Sequence, residues 1–162
     1  MVEKTEPGQK SMQIGVIADT HSKMRPEALE VLEGSDLILH AGDVGRNEVL
    51  EALEAIAPVV AIRGNIDNTG RAANLPDVQD LEFLGHAFYM LHDVKTLDMD
   101  PQGRYRVVIA GHSHKPRNEW IDGVLYFNPG GAGPRRFTLP ITVGRLRVSE
   151  DRVVGEIIEL PV

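Results

Sequence analysis

Apolar residues fall in short blocks along this chain, and the blocks are of two kinds. Met12–Ala18 is a compact apolar run that predicts a buried strand. A polar loop, 19–25, follows, and Pro26 with Glu27 behind it marks a helix start. Ala28, Leu29, Val31 and Leu32 give that helix one apolar face, and Gly34-Ser35 ends it. Leu37–Leu39 is a second short strand and 41–45 a loop. Asn47–Ala55 is a second amphipathic helix, with Val49, Leu50, Leu53 and Ile56 on one stripe. Pro58 breaks it, and Val59–Ile62 is a third strand. Strand, loop and helix repeated in this order predict a parallel, buried sheet.

After residue 62 the rhythm changes to short β-like runs. These are Leu81–Leu84, Ala87–Leu91, Val107–Ala110, Asn118–Ile121, Val124–Phe127, Ile141–Val148 and Val153–Glu159. Asp122-Gly123 between two of them is a hairpin signal. The pattern predicts a mixed fold of two facing sheets, with helices on the outer faces near the N-terminal half. Residues 1–11 read as a disordered polar tail and 12–162 as a single domain, without an internal repeat or linker.

Composition narrows this picture. A chain of 162 residues, 42% hydrophobic and 25% charged, is ordinary globular usage and can bury a core unaided. The longest apolar run, Ile56–Ile62, is interrupted by Pro58 and falls far short of a membrane span. The polar N-terminus has no apolar segment of the secretory type. The absence of cysteine excludes disulfides, thiolate catalysis and thiolate zinc sites, and it suits a reducing, cytoplasmic compartment. Seventeen basic residues against 24 acidic ones give a net charge of −7. The basic residues stand singly apart from Arg135-Arg136, so no face for duplex nucleic acid is expected.

The candidate chemistry sits at strand ends. Asp19-Thr20-His21 follows the first strand, His40-Ala41-Gly42-Asp43 the second and Arg63-Gly64-Asn65-Ile66-Asp67 the third. His92-Asp93 follows Ala87–Leu91, and Gly111-His112-Ser113-His114 follows Val107–Ala110. Loops at the carboxyl ends of parallel strands lie on one side of a sheet, so these groups are expected to converge. An extended backbone would aim both side chains of Asp19-x-His21, and of His112-x-His114, at one face. Oxygen and imidazole donors without thiolates suit Mn, Fe, Ni or Zn. Of the remaining residues, His40 reads as a packing histidine or a partner to metal ligands, and His86 beside Gly85 as a turn residue. Asp67 reads as structural. Arg63 pairs with a carboxylate or touches phosphate, and Arg135 in the glycine-rich 130–134 loop is a surface or a phosphate-contact residue.

Taken in order, Asp19-Thr20-His21, Gly42-Asp43, Gly64-Asn65-x-Asp67, His92 and Gly111-His112-Ser113-His114 resemble the signature set of calcineurin-like metallophosphoesterases. The size, the Gly-Asn-x-Asp form and Asn128-Pro129-Gly130 resemble the compact phosphodiesterase branch of bacteria and archaea, over roughly Gln13 to Val148. The resemblance implies an α/β fold, a four-layer α-β-β-α sandwich of two mixed sheets with flanking helices. It implies that Asp19, His21 and His114 bind one metal, that Asn65, His92 and His112 bind a second, and that Asp43 bridges both. A bridging water or hydroxide would be the nucleophile, placing Asp43, Asn65 and His92 at the catalytic step. Two divalent ions, manganese first and iron, nickel or zinc as alternatives, would act on a small phosphate ester, a phosphodiester before a monoester. Two departures stand out: Ile66 occupies a position where many relatives carry a histidine that helps protonate the leaving group, and Asp93 stands where glycine is usual. Competing readings are a non-catalytic scaffold on the same fold, as in a eukaryotic retromer subunit, and a metal hydrolase of amides or esters. Edge strands in the β-rich second half leave room for a homo-oligomer.

Overall fold

A computed structural model describes residues 10–162, so most of the expected 1–11 tail lies outside the described residues. The first strand, β1, runs Ser11–Ile17 and is followed by α1 (Pro26–Leu32), β2 (Leu37–His40), α2 (Asn47–Glu54) and β3 (Val59–Ala61). Then come β4 (Val78–Phe83), β5 (His86–Leu91), β6 (Val107–Ile109), β7 (Arg117–Ile121), β8 (Val124–Asn128), β9 (Thr142–Ser149) and β10 (Val153–Glu159). They form two five-stranded sheets, in the orders β10-β9-β1-β2-β3 and β4-β5-β6-β8-β7. Both are mixed. β1, β2 and β3 are parallel, as are β5, β6 and β8, while β9 runs antiparallel to β1, β4 to β5 and β7 to β8.

Period-two alternation divides β1 between two cores. Ile14, Val16 and Ala18 face the second sheet and pack with Leu39, Phe88, Met90, Ile109 and Phe127. Ile17 faces the other way, with Ile38, Ala61 and Val143, into the layer filled by Ala28 and Leu32 of α1 and Val49, Leu50 and Leu53 of α2. Each fully buried leucine in that layer contributes about 1.5–3 kcal/mol. The helix lies so close that a Cβ at Gly15 would stand 2.6 Å from Leu32 Cδ2. On the far face of the second sheet, Leu91, Val108, Ala110 and Val124 form a separate small cluster with Val94, Leu97 and two tyrosines. The covering element there is one 3₁₀ turn, Val94–Thr96, so the fourth layer of the sandwich is thin.

His86 departs from its expected turn position. It opens β5 opposite Phe83, and its Nε2 stands 2.8 Å from the Ser149 carbonyl of the other sheet. The turn is Leu84-Gly85, both at positive φ, and a leucine in that conformation carries no turn signal. Among the described residues no helix is long and apolar enough to cross a membrane.

Candidate metal centre

The parallel strands of both sheets end on one side of the molecule. There β1 delivers Asp19 and His21, β2 Asp43, β3 Asn65, β5 His92, and β6 both His112 and His114. Two groups of donors result. One atom each of Asp19, His21 and His114 lie within 4.8 Å of one another, and so do atoms of Asp43, His92 and His112. Asp43 Oδ2 stands 3.3 Å from His21 Nε2 and 3.3 Å from His92 Nε2, so this carboxylate belongs to both groups. Asp19 Oδ1 faces the Nε2 atoms of His114, His92 and His21 at 3.7, 3.9 and 4.0 Å. Asn65 Oδ1 lies 3.1 Å from His92 Nε2 and 3.3 Å from His112 Nδ1. The sequence-derived set of seven is therefore brought together complete.

The backbone that does this is not extended. Asp19, His21, Asp43, His112 and His114 have φ of 55°, 46°, 58°, 68° and 62°. Each sits in the left-handed region, which costs a non-glycine residue roughly 1–2 kcal/mol. The Asp-x-His and His-x-His pairs converge through these reversals and not through strand alternation, which ends at Ile17 and Ile109, before either pair begins. Strain of this kind persists only where the surroundings over-determine it. Here they do. The Asp67 carboxylate, almost fully buried, accepts hydrogen bonds from the backbone N–H groups of Val44, Gly45 and Gly64. It thereby ties the β2 loop to the β3 loop. Asn128 donates to the Gly111 carbonyl and accepts from Gly130 N–H, joining the β6 loop to the glycine-rich one. Gly133 lies against the Asp19 and Thr20 carbonyls with no room for a Cβ.

His40 completes the scaffold. Its Nδ1 accepts from Gly42 N–H, so its proton is on Nε2, 3.0 Å from Thr20 Oγ1. The threonine hydroxyl in turn donates to the Val44 carbonyl at 2.9 Å. This buried chain fixes the β1 loop against the β2 loop. Burial, offset in part by Asp67, lowers the His40 pKa to about 4 and keeps the ring neutral.

Electrostatics and unmet hydrogen bonds show that the donors fit cations. Asp19 Oδ1 and His21 Nε2 are buried without a hydrogen-bond partner among the described residues. Such atoms carry a desolvation cost that a cation between them would remove. Burial raises the Asp19 carboxyl to about 7. Asp43 is pulled upward by burial, yet the hydrogen bonds from His92 and Ile66 N–H prevail and hold it at about 2. Burial together with Arg136 lowers His114 to about 4, and burial lowers His21, leaving imidazole lone pairs free at neutral pH. His92 is the exception. Burial opposes its protonation, but Asp43 and the Ala41 carbonyl outweigh it and raise the pKa, so the same groups that favour a proton there would favour a cation. His92 Nδ1 donates to Ala41 O at 2.7 Å, which leaves Nε2 to face the donors.

The arginines sort differently from their sequence neighbourhoods. Arg63 pairs with Asp77 at 2.8 Å. Arg135 donates to the carbonyls of Leu139 and Val162, away from the donors. Arg136, which the sequence flagged only as half of an Arg-Arg pair, is the cation whose field reaches Asp19, His21 and His114. Asp93 Oδ2 stands 3.8 Å from His112 Nε2.

Comparison with known proteins agrees with this geometry. Residues 12–151 match the family described as calcineurin-like phosphoesterase superfamily domain. A probable metallophosphoesterase of Methanothermobacter thermautotrophicus is 33% identical over 160 residues, covering 91% of this chain and 92% of that protein. A phosphodiesterase of Methanocaldococcus jannaschii is 30% identical over 144 residues, covering 74% and 83%. Among solved structures, a novel archaeal phosphodiesterase superposes with a TM-score of 0.73 at 28% identity, covering 91% of this chain and all of that one. Vacuolar protein sorting 29 of Cryptosporidium parvum superposes with a TM-score of 0.78 at 19% identity, covering 93% and 92%, a likeness of fold alone.

Proposed function

Because the chain belongs to the calcineurin-like phosphoesterase superfamily, we propose that it hydrolyses phosphodiesters at a centre of two divalent cations. One observation carries this reading: a single carboxylate oxygen, Asp43 Oδ2, equidistant from an imidazole of each donor group. Asp19, His21 and His114 would hold one ion, Asn65, His92 and His112 the other, and Asp43 both. Four imidazoles and an amide are neutral ligands, so with only two carboxylates the loaded site keeps a net positive charge that attracts phosphate. The mixed oxygen and nitrogen donors favour manganese, with iron, nickel and zinc as the other fitting ions. When bound, the two ions would supply an activated water and neutralise charge on the phosphoryl oxygens.

The chain's own groups do the rest. Asp67, His40 and Asn128 hold the three loops in register, and the Ala41 carbonyl fixes the His92 ring. Ile66, 40% exposed beside Asn65, presents no proton to a departing alcohol. Substrates whose leaving group needs no proton, such as aryl esters, are therefore the better ones. A scaffold would have no use for seven competent donors, five of them held in the left-handed region.

The test is turnover of bis(4-nitrophenyl) phosphate by the purified protein with manganese and with chelator. Metal-dependent release of nitrophenolate is expected, at a higher kcat/KM than with 4-nitrophenyl phosphate. Absence of activity with manganese, iron, nickel and zinc alike would contradict the proposal.

A further inference from the structure

A cleft of about 420 Å³ opens directly beside Asn65 and His92. Its volume lies in the range of small-molecule sites. Val78, 43% exposed, and the buried Leu91 give it apolar walls, while Arg63, Asp77, Thr96 and Asp93 supply its polar edge. The charges there do not balance. Arg63 is already engaged by Asp77 through Nε at 2.9 Å and Nη2 at 2.8 Å. Asp93 spends Oδ1 on Lys95 N–H and turns Oδ2 toward His112. Arg63 is the one guanidinium or ammonium group among the described lining residues, so Asp93 stands there without such a partner, next to a centre built to attract phosphate.

We propose that this cleft seats one ester arm of the substrate and admits an uncharged, partly apolar arm in preference to one that carries a second anion. The inference rests on the phosphodiesterase reading for the position of the phosphoryl group at Asn65 and His92. It adds a substrate class: diesters of neutral alcohols, nucleosides or phenols, and not esters whose arm ends in a further phosphate or carboxylate. The donor groups and the cleft thus divide the work. The cationic centre takes the phosphoryl group, and the anionic cleft rejects arms of its own charge.

Two symmetric diesters test it, bis(4-carbamoylphenyl) phosphate and bis(4-carboxyphenyl) phosphate, which match in shape and differ in arm charge. At low salt the neutral diester should show a kcat/KM roughly tenfold higher. Asp77→Lys, at an exposed rim position, should close that gap by freeing Arg63 and adding a cation. An unchanged gap in this variant would overturn the proposal. A second readout does not depend on turnover. In zinc-loaded protein the methyl signals of Val78 and Leu91 should move on titration with the carbamoyl diester and stay still with the carboxy diester. Moving methyls without hydrolysis of either diester would uphold the cleft and contradict the phosphodiesterase reading. Hydrolysis with silent methyls would overturn the cleft alone.

Discussion

The two donor groups share Asp43 but differ in what surrounds them. Asp19 and His114 are buried, and the glycine-rich loop closes over them through Ala132 N–H to Ala18 O and Gly133 N–H to Asp19 O. His112 is open to solvent instead, its side chain 43% exposed, and Asn65 lines the cleft. The difference shows in the carboxylates. Burial drives Asp19 up to about 7 despite the His112 N–H that reaches its Oδ2, whereas Asp43, pulled upward by burial but reached by His92 and the Ile66 N–H, is held at about 2. Enclosure favours tight retention of an ion, and openness favours exchange and substrate entry. On the proposed two-ion reading, the first group would hold its ion and the second would exchange its ion and admit substrate.

The largest effect should follow from removing what the two groups share. Asp43→Asn should lower the metal-dependent turnover of bis(4-nitrophenyl) phosphate by about a thousandfold or more, since both ions lose a ligand charge. Turnover within tenfold of the unsubstituted protein would mean that the groups work separately.

A smaller effect should come from the scaffold beneath them. His40 has an ordinary pKa of 6.5 when unfolded and about 4 when folded. The unfolded chain therefore binds the proton first as pH falls. The stability held by neutral His40 is whole above pH 6.5 and is lost progressively toward pH 4, up to about 3 kcal/mol. Asp19 acts in the opposite sense over the same range, because its folded pKa is raised. Comparison with His40→Gln, which keeps Asp19, isolates the histidine. Urea midpoints at pH 7 and pH 4.5 should fall further in the unsubstituted protein than in the variant. Equal falls would remove His40 as the cause.

Most of the architecture was legible in the sequence because the buried strands are continuous apolar runs and each helix carries one apolar face. Both α-helices, the third strand after Pro58 and the Asp122-Gly123 hairpin lie where the pattern placed them. The start of β4 was not visible. Val78, Gln79 and Asp80 sit on an edge strand whose residues are half or fully exposed, so no apolar run marks them. Nor was the order of strands within each sheet, which depends on crossovers that no local pattern records. At the site, residue identities were readable and their conformation was not. Histidine and aspartate at positive φ leave no mark in composition, and the seven side chains meet through loops pinned by Asp67, Thr20, His40 and Asn128. These partners are fixed by three-dimensional contact: Asp67 reaches Val44 across 23 positions, and Thr20 reaches His40 across 20.

The most direct measurement is calorimetric titration of chelator-treated protein with manganese. Two ions per chain are expected, the first bound at least about tenfold more tightly than the second, in keeping with one enclosed and one open group. A single ion per chain, or none, would contradict the shared centre. Two ions of equal affinity would contradict the division between holding and receiving.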